Sequence, residues 1–198
     1  MVAKSSNPRR LNVGCGRNIR EGWTNLDMAQ LPGVDIVANL EQCAEDPLPL
    51  DDDSFDEFLL SHVIEHIHQP LPLMQDLWRI AKPGARLNIH VPHGANDDAW
   101  EDPTHVRPYF LSSFGYFSQP FYWRADYGYR GDWQTEKVTF VLRRTSCEGL
   151  NASQIFEKIN KERNLVLEMI ASLIAIKPAR EPRKNLIRPP EINFQLMD

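Results

Sequence analysis

At 198 residues, with 42% hydrophobic and 25% charged residues, the chain has the length and composition of one globular domain with a core of its own. A net charge of −5 argues against a protein dominated by contacts to nucleic acid. The three cysteines form no Cys-x-x-Cys pair, which argues against a disulfide framework or a cysteine zinc site and fits a reducing compartment.

Neither end of the chain predicts a membrane segment. The first ten residues are polar and basic with no apolar stretch behind them, which is not the pattern of a secretory signal. The longest apolar run, residues 165–176, is interrupted by Glu168 and Ser172 and is shorter than the roughly 20 residues that span a bilayer. We therefore expect a cytoplasmic protein without a membrane span, built as a single domain over residues 1–198.

The stretch with the strongest functional pattern lies near the N-terminus. A short strand predicted over Arg10–Val13 leads directly into Gly14 and Gly16, and glycine reaches positive φ and leaves room for a ligand. A second short strand, about Thr24–Leu26, is followed by Asp27. A glycine turn after one strand and an acid after the next is typical of nucleoside binding, with the carboxylate accepting hydrogen bonds from ribose hydroxyls.

Two other interpretations of this stretch remain open. A Gly-x-Gly after an apolar run is often only a tight turn. A dinucleotide site is less favoured, because Ile19 stands where the third glycine of G-x-G-x-x-G is required.

The first half of the chain alternates strands with connections. Only six residues separate Gly16 from Trp23, too few for a crossover helix. The further elements predicted here are strands over about 34–38, 55–61 and 86–91, and an amphipathic helix from Pro70 that ends before Lys82-Pro83-Gly84. This alternation indicates a parallel α/β sheet with its ligand at the carboxyl ends of the strands, where Gly14, Asp27, Asn39 and Ser61 fall.

The second half begins with a segment of different texture, residues 94–135, which is rich in aromatic residues, Gly, Asp and Arg and has little periodicity. We interpret it as a cover over a substrate site, with Arg107 and Tyr109 suited to an anionic or sugar-like ligand; the alternative is a satellite hydrophobic cluster. Beyond it we predict three elements and one solvated basic loop: a strand over 137–144, a helix over about 152–176 capped by Asn151 and Gln154, the loop over 177–188, and a strand over 191–197.

The order of the motifs over residues 9–93 resembles the class I S-adenosylmethionine-dependent methyltransferases, and within them the methyltransferase type 11-like group. The segments that carry the resemblance are residues 11–16, 23–27, 48–56, 61–66, 77–84 and 87–92. The resemblance implies a Rossmann-like, mostly parallel sheet of seven strands with an antiparallel last strand, in three α/β/α layers. Residues 94–135 would then be an aromatic-rich insertion after strand five, and the stretches 137–144 and 192–197 the final two strands.

The resemblance also implies the cofactor site. Gly14 and Gly16 would admit the methionine end of S-adenosylmethionine, and Asp27 would bind the ribose. The full implied set of cofactor-binding residues is Gly14, Cys15, Gly16, Asp27, Met28, Asn39, Leu40, Ser61 and His62. The chain departs from the family pattern at Asn12 and Asn39, where acids are common, and at Asn18, where a third glycine is usual.

Candidate bases for methyl transfer are His62, His93 and His105, which are predicted near the ligand end of the sheet or in the loop that follows. A purely structural role remains open for each of them. The histidines at 62, 66 and 68 also suggest a metal, but Glu65 does not complete an H-E-x-x-H motif, and no metal site is predicted.

We therefore predict an S-adenosylmethionine-dependent methyltransferase that acts on a small polar acceptor, such as a saccharide or other metabolite. A non-catalytic subunit that binds S-adenosylmethionine or another nucleoside, and a nucleotide-sugar-modifying enzyme of different chemistry, are the alternatives. The fold alone does not distinguish among them. The oligomeric state is not predictable from these features.

Overall fold

One mixed sheet of eight strands forms the centre of the computed structural model, which describes residues 7–198. The strands are β1 (Arg10–Val13), β2 (Thr24–Asp27), β3 (Ile36–Val37), β4 (Phe55–Ser61), β5 (Ala81–Pro92), β6 (Trp133–Arg143), β7 (Val166–Ala175) and β8 (Glu191–Met197). The α-helices are α1 (Pro70–Ile80), α2 (Asp98–Glu101) and α3 (Ala152–Ile159). Short 3₁₀ helices span Leu40–Gln42, Ile64–His66, Leu111–Phe117, Gln119–Trp123, Arg144–Ser146 and Lys184–Leu186. Residues 1–6, most of the segment for which the sequence predicts no secretory signal, lie outside the described residues.

The strand order is β3-β2-β1-β4-β5-β7-β6-β8. The first five strands in this order are parallel, so the predicted mostly parallel sheet is confirmed. Its antiparallel strand is β7, which is antiparallel to both of its neighbours, and not the last strand as predicted. The predicted number of seven strands is wrong by one. The last strand, β8, is an addition at the edge, where it pairs in parallel with β6 and places Phe194 against Phe140.

The single long helix predicted over residues 152–176 is wrong in its second half. Its capping box is present, since Asn151 Oδ1 accepts from Gln154 N at 3.0 Å and Gln154 Oε1 accepts from Asn151 N at 2.9 Å, but α3 ends at Ile159. A left-handed residue, Asn164 with φ of 58°, then turns the chain into β7. Apolar residues of β7 fit a helical spacing, but pairing with β5 and β6 on both sides makes this segment a strand, in which Met169, Ala171, Leu173 and Ala175 are buried in alternation.

The two faces of the sheet differ sharply in polarity. On one face, fully buried side chains of neighbouring strands form a continuous apolar layer that includes Leu11, Val13, Phe58, Leu60, Leu87, Ile89, Val138 and Phe140. Both longer helices contact this face: Trp133 Nε1 donates to Met74 O of α1 at 2.9 Å, and Phe140 packs against Phe156 of α3. The opposite face carries residues such as Asn12, Asn88 and Ser172. The connections after β1 and β2 contain no α-helix, so the third layer of the expected α/β/α arrangement is reduced to loops.

The aromatic segment between β5 and β6 is divided between core and surface. Its buried aromatic side chains are Tyr109, Phe114, Phe117, Tyr122 and Tyr129, and they join the main core cluster. Other large side chains of the same segment, among them Trp100, Phe110, Tyr116 and Tyr127, are exposed. Half of the segment thus behaves as the hydrophobic cluster that the sequence left open, while the other half forms an aromatic surface. Among the described residues, no helix is long and apolar enough to cross a membrane.

The difference between the two faces is testable in β7. Leu173 is 1% exposed on the apolar face, and the neighbouring Ile174 points to the opposite face and is only half-buried. We expect Leu173→Ala to lower the free energy of unfolding by about 2–5 kcal/mol in urea denaturation, because it leaves a cavity in the core. Ile174→Ala should lower it clearly less. Equal losses at the two positions would contradict the description of a sheet covered mainly on one side.

Candidate functional site

A pocket of about 260 Å³ opens where the carboxyl ends of β1, β2 and β4 meet. Its lining residues are Gly14, Asp27, Met28, Asn39, Leu40, Glu41, His62, Val63, His66 and Ile67. Parallel strands bring their carboxyl ends to one edge of a sheet, which is where ligands bind in open α/β folds. Most of the predicted cofactor residues therefore lie together; Cys15, Gly16 and Ser61 are close in sequence but do not line the pocket.

The glycine turn at the base of the pocket requires glycine at its first position. Gly14 has φ of 64°, and a Cβ built there would lie 2.7 Å from Cγ2 of Val63. Gly16, with φ of 51°, faces open space instead. Between them Cys15 is buried, and burial, aided by the nearby charge of Asp27, raises the pKa of its thiol. The turn therefore packs closely against Val63, which follows β4, at Gly14, and it is open to solvent space at Gly16.

Asp27 is held at the pocket by two backbone hydrogen bonds. Its Oδ2 accepts from Gly16 N at 2.7 Å, and its Oδ1 accepts from Ala29 N at 2.9 Å. Each carboxylate oxygen has more than one acceptor site, so these bonds orient the group without exhausting it. The carboxylate is thus preorganised to accept further hydrogen bonds from a ligand hydroxyl.

The pocket includes four residues that the sequence analysis did not select: Glu41, Val63, His66 and Ile67. Asn39 caps the short helix after β3 by accepting from Glu41 N at 3.0 Å, and Glu41 in turn accepts from His68 N and pairs with its ring at 2.9 Å. Glu41 could have been predicted from the sequence. An asparagine two residues before it can accept a hydrogen bond from its backbone N–H, and this turn brings Asn39 and Glu41 close together after β3. Val63 and Ile67 have no polar group that would mark them as binding residues in the sequence. They line the pocket because the chain that follows β4 runs past it.

His62 lies at the pocket but is poorly suited to act as a base. Its Nε2 is 2.9 Å from Glu168 Oε1, and its Nδ1 is 3.4 Å from Glu65 Oε1. The hydrogen bond to Glu168, supported by Glu65, raises the pKa of His62 to about 10. Burial opposes ionisation of Glu168, but the hydrogen bonds from His62 and His90 bring its pKa down to about 2. At neutral pH His62 is therefore an imidazolium with no free lone pair.

His93 does not line this pocket. It is buried with its ring edge-on to Phe110 and Phe140, and it lines a separate cavity of about 380 Å³ that α3 borders. Burial lowers the pKa of its imidazole. Its position at the end of β5 made it a candidate base. Its ring instead packs against Phe110 and Phe140, and these contacts favour a packing role.

The remaining candidates lie on the aromatic segment next to the pocket. The ring of His105 packs edge-on against His66, with centroids 4.7 Å apart, which places it beside the site. Tyr109 is buried, its hydroxyl donates to Ile64 O at 3.3 Å, and burial raises its pKa, so its polar atom serves the fold. Arg107 is exposed and borders, with Tyr109, Tyr116 and Tyr127, a separate cavity of about 380 Å³.

The sheet order, the antiparallel strand near its end and the pocket at the glycine turn define the class I fold of S-adenosylmethionine-dependent methyltransferases. Residues 11–89 match the model of a family described as a methyltransferase domain, and this segment contains the glycine turn and most of the pocket. The predicted resemblance to class I S-adenosylmethionine-dependent methyltransferases is thereby confirmed over residues 11–89 and in the fold.

Individual relatives agree with this assignment. A stretch of 69 residues is 36% identical to the demethylmenaquinone methyltransferase of Clavibacter sepedonicus, covering 35% of this chain and 28% of that protein. The match thus spans little more than a quarter of that relative's length. A solved SAM-dependent methyltransferase from Archaeoglobus fulgidus superposes with a TM-score of 0.60 at 16% identity, covering 85% of this chain and 86% of the other. A Thermotoga maritima methyltransferase, named as a possible histamine N-methyltransferase, gives 0.55 at 13% identity, with 86% and 83% covered.

The glycine turn yields a stability prediction. We expect Gly14→Ala to lower the free energy of unfolding by about 1–3 kcal/mol, because alanine would adopt a positive φ and also clash with Val63. Gly16→Ala should lose only the smaller amount due to its φ. Adding Val63→Ala to Gly14→Ala should recover part of the loss in urea denaturation, and no recovery would show that the contact with Val63 is not limiting.

His93 yields a pH prediction. Because its pKa is lower in the folded protein than the ordinary value near 6.5, the unfolded chain takes up the proton first. Its contribution to stability is complete above about pH 6.5 and should be lost as the pH falls through the folded pKa. We expect an NMR titration to give a His93 pKa below 6.5, and the stability difference between wild type and His93→Gln to shrink on acidification. A pKa at or above 6.5 would contradict the burial of this ring.

Proposed function

We propose that this protein binds S-adenosylmethionine in the pocket at the carboxyl ends of β1, β2 and β4 and transfers its methyl group to a small polar acceptor. The observation that carries this proposal is the oriented carboxylate of Asp27 next to a glycine turn that packs against Val63 at Gly14 and is open at Gly16. A close approach of backbone to ligand and an acid for ribose hydroxyls are the two requirements of a nucleoside cofactor in this fold.

Within the pocket, each part of the cofactor has a suitable group. Asp27 would accept hydrogen bonds from the ribose hydroxyls, and Asn39 and Leu40 would border the adenine. Gly14 and the half-exposed His62 would lie on the methionine side. Bound S-adenosylmethionine supplies an electrophilic methyl group on a sulfonium, so the protein mainly has to align the acceptor and exclude water.

The acceptor side is supported by the aromatic surface of the segment between β5 and β6. Arg107, Tyr116 and Tyr127 border a cavity on this segment, and two positions before Arg107 the ring of His105 packs against His66 of the cofactor pocket. The cavity's mixture of one cation and several aromatic rings fits a small polar or anionic molecule better than a long polymer. The net charge of −5 points the same way, since a nucleic-acid substrate would favour a basic surface.

The cofactor site is tested by calorimetry with S-adenosylmethionine and S-adenosylhomocysteine. We expect binding to the wild type and a loss of roughly 10- to 100-fold or more for Asp27→Ala, because hydrogen bonds to a charged group contribute about 1.5–3 kcal/mol each. Asp51→Ala, in the exposed acidic loop, is the matched control and should bind as the wild type does.

The outcomes separate the alternatives. Binding that Asp27→Ala leaves unchanged would place the cofactor elsewhere, and absence of binding to the wild type would remove the proposal for this chain on its own. Binding without methyl transfer to any of a panel of small hydroxyl, amine and carboxylate acceptors, followed with labelled methyl, would favour a non-catalytic cofactor-binding subunit.

A further inference from the structure

Three potential ligand groups meet directly beside the cofactor pocket. Glu65, His66 and His105 each offer one donor atom, and these atoms all lie within 4.8 Å of one another. Two hydrogen bonds hold the chain around Glu65 against the segment that carries His105. Val106 N donates to Glu65 O at 2.9 Å, and the hydroxyl of Tyr109 donates to the carbonyl oxygen of Ile64. The cluster thus joins the end of the β4 connection to the aromatic segment, about 40 positions later in the chain.

The cluster contains buried polar atoms without partners. Glu65 is 1% exposed, and neither of its carboxylate oxygens makes a hydrogen bond; Nδ1 of His105 is buried and unpartnered as well. The nearest ring nitrogen to Glu65 is Nδ1 of His62 at 3.4 Å, and His62 makes its shorter contact to Glu168. His62 offsets the charge of Glu65 but does not hydrogen-bond its oxygens, so the lone pairs of this buried carboxylate and Nδ1 of His105 remain available to a cation.

A hydrogen bond orients one of the two histidines, His66, as a ligand. The hydroxyl of Thr104 donates its proton to Asp102 Oδ1 at 2.6 Å, so it must accept from Nδ1–H of His66 at 2.9 Å. This leaves Nε2 of His66 as the ring nitrogen available to a metal. Asp102 Oδ2 lies 3.9 Å from Nε2 of His105, too far for a hydrogen bond, and the buried Nδ1 of that ring has no partner. A hydroxyl or carboxylate behind a histidine is the usual support of a metal-ligating imidazole, and Thr104 supplies it for His66.

We propose that Glu65, His66 and His105 bind a divalent transition-metal ion, with Zn²⁺ the best match. One carboxylate oxygen and two imidazole nitrogens are a ligand set of catalytic zinc sites, which keep a further position open. Atoms bound to one zinc ion at about 2.0–2.1 Å lie roughly 3.4 Å apart, so the cluster closes by small side-chain rotations.

The position of this site defines the class of acceptor it would take. His66 lines both the cluster and the cofactor pocket. Resting on the proposed function, the open position would bind an oxygen donor of the methyl acceptor, a hydroxyl or a carboxylate, next to the methionine end of the cofactor. The metal would also explain why the site needs no free histidine base, since a bound cation lowers the pKa of a coordinated hydroxyl.

The test uses the full chain, without an affinity tag and freed of metal by a chelator, titrated with ZnCl₂ by calorimetry and with CoCl₂ by visible absorption. We expect one ion per chain and a Co²⁺ spectrum typical of nitrogen and oxygen ligands. His105→Ala and Glu65→Gln should each weaken binding by at least about 100-fold, and Thr104→Ala by about 10- to 100-fold, as for other groups that orient a metal ligand. His68→Ala is the matched control, because His68 is exposed and pairs with Glu41 outside the cluster.

Two results would overturn the proposal: no saturable binding of either ion to the wild type, or equal effects of His68→Ala and His105→Ala. Circular dichroism and the thermal midpoint show whether each variant folds, and if Glu65→Gln does not, His105→Ala decides. Because these titrations contain no S-adenosylmethionine, the metal site can fail while cofactor binding succeeds, and the reverse result is equally visible.

Discussion

The hydrogen bond from Gly16 N to Asp27 Oδ2, 2.7 Å long, is the interaction on which the site depends. It joins the turn after β1 to the end of β2 and so fixes both the opening left by Gly14 and the direction of the carboxylate. The bond is possible because the two strands are adjacent and parallel, with Val13 paired to Leu26. A single register thus determines where a nucleoside can bind, and a slip of one residue would reverse the direction of every side chain involved.

The short connections after β1 and β2 explain an unusual distribution of polarity. Without helices there, the opposite face of the sheet buries few apolar side chains, Leu59 among them, and it carries asparagines that bond to the loops. Asn12 donates to Asn18 O and to Asn25 Oδ1, while Arg20 N donates to the same Asn25 oxygen. The departure of Asn12 from the family pattern is therefore matched by a local role: it fastens the loop that replaces a helix. The core is built on the other face, where α1, α3 and the buried half of the aromatic segment supply the apolar partners.

Sequence patterns predicted the parts of the molecule that local rules determine. Strands β1 and β4 begin and end as expected, and Gly14, Asp27 and Asn39 meet because the ends of parallel strands share one edge. Patterns failed where distant pairing decides the structure. In β7 the same apolar residues satisfy a helical and a strand period, and only the flanking strands β5 and β6 select the second. The cluster of Glu65 with His105 was equally inaccessible, because a fold must bring together two segments that no short motif connects.

The histidines show most clearly why residue type alone does not define a role. His62 is placed at the pocket, but two carboxylates keep its proton; His93 is kept neutral by burial among aromatic rings. His66 and His105 each keep a ring nitrogen available: in His66 it is Nε2, because Nδ1–H donates to Thr104, and in His105 it is the buried Nδ1, which has no partner. The two glutamates differ in the same way. The carboxylate of Glu168 pairs with His62 and His90, whereas Glu65 is buried and neither of its oxygens makes a hydrogen bond. An enzyme that uses a cation at Glu65 to activate its acceptor would have no need of a neutral histidine at position 62, and the ion pair there could then be retained for positioning.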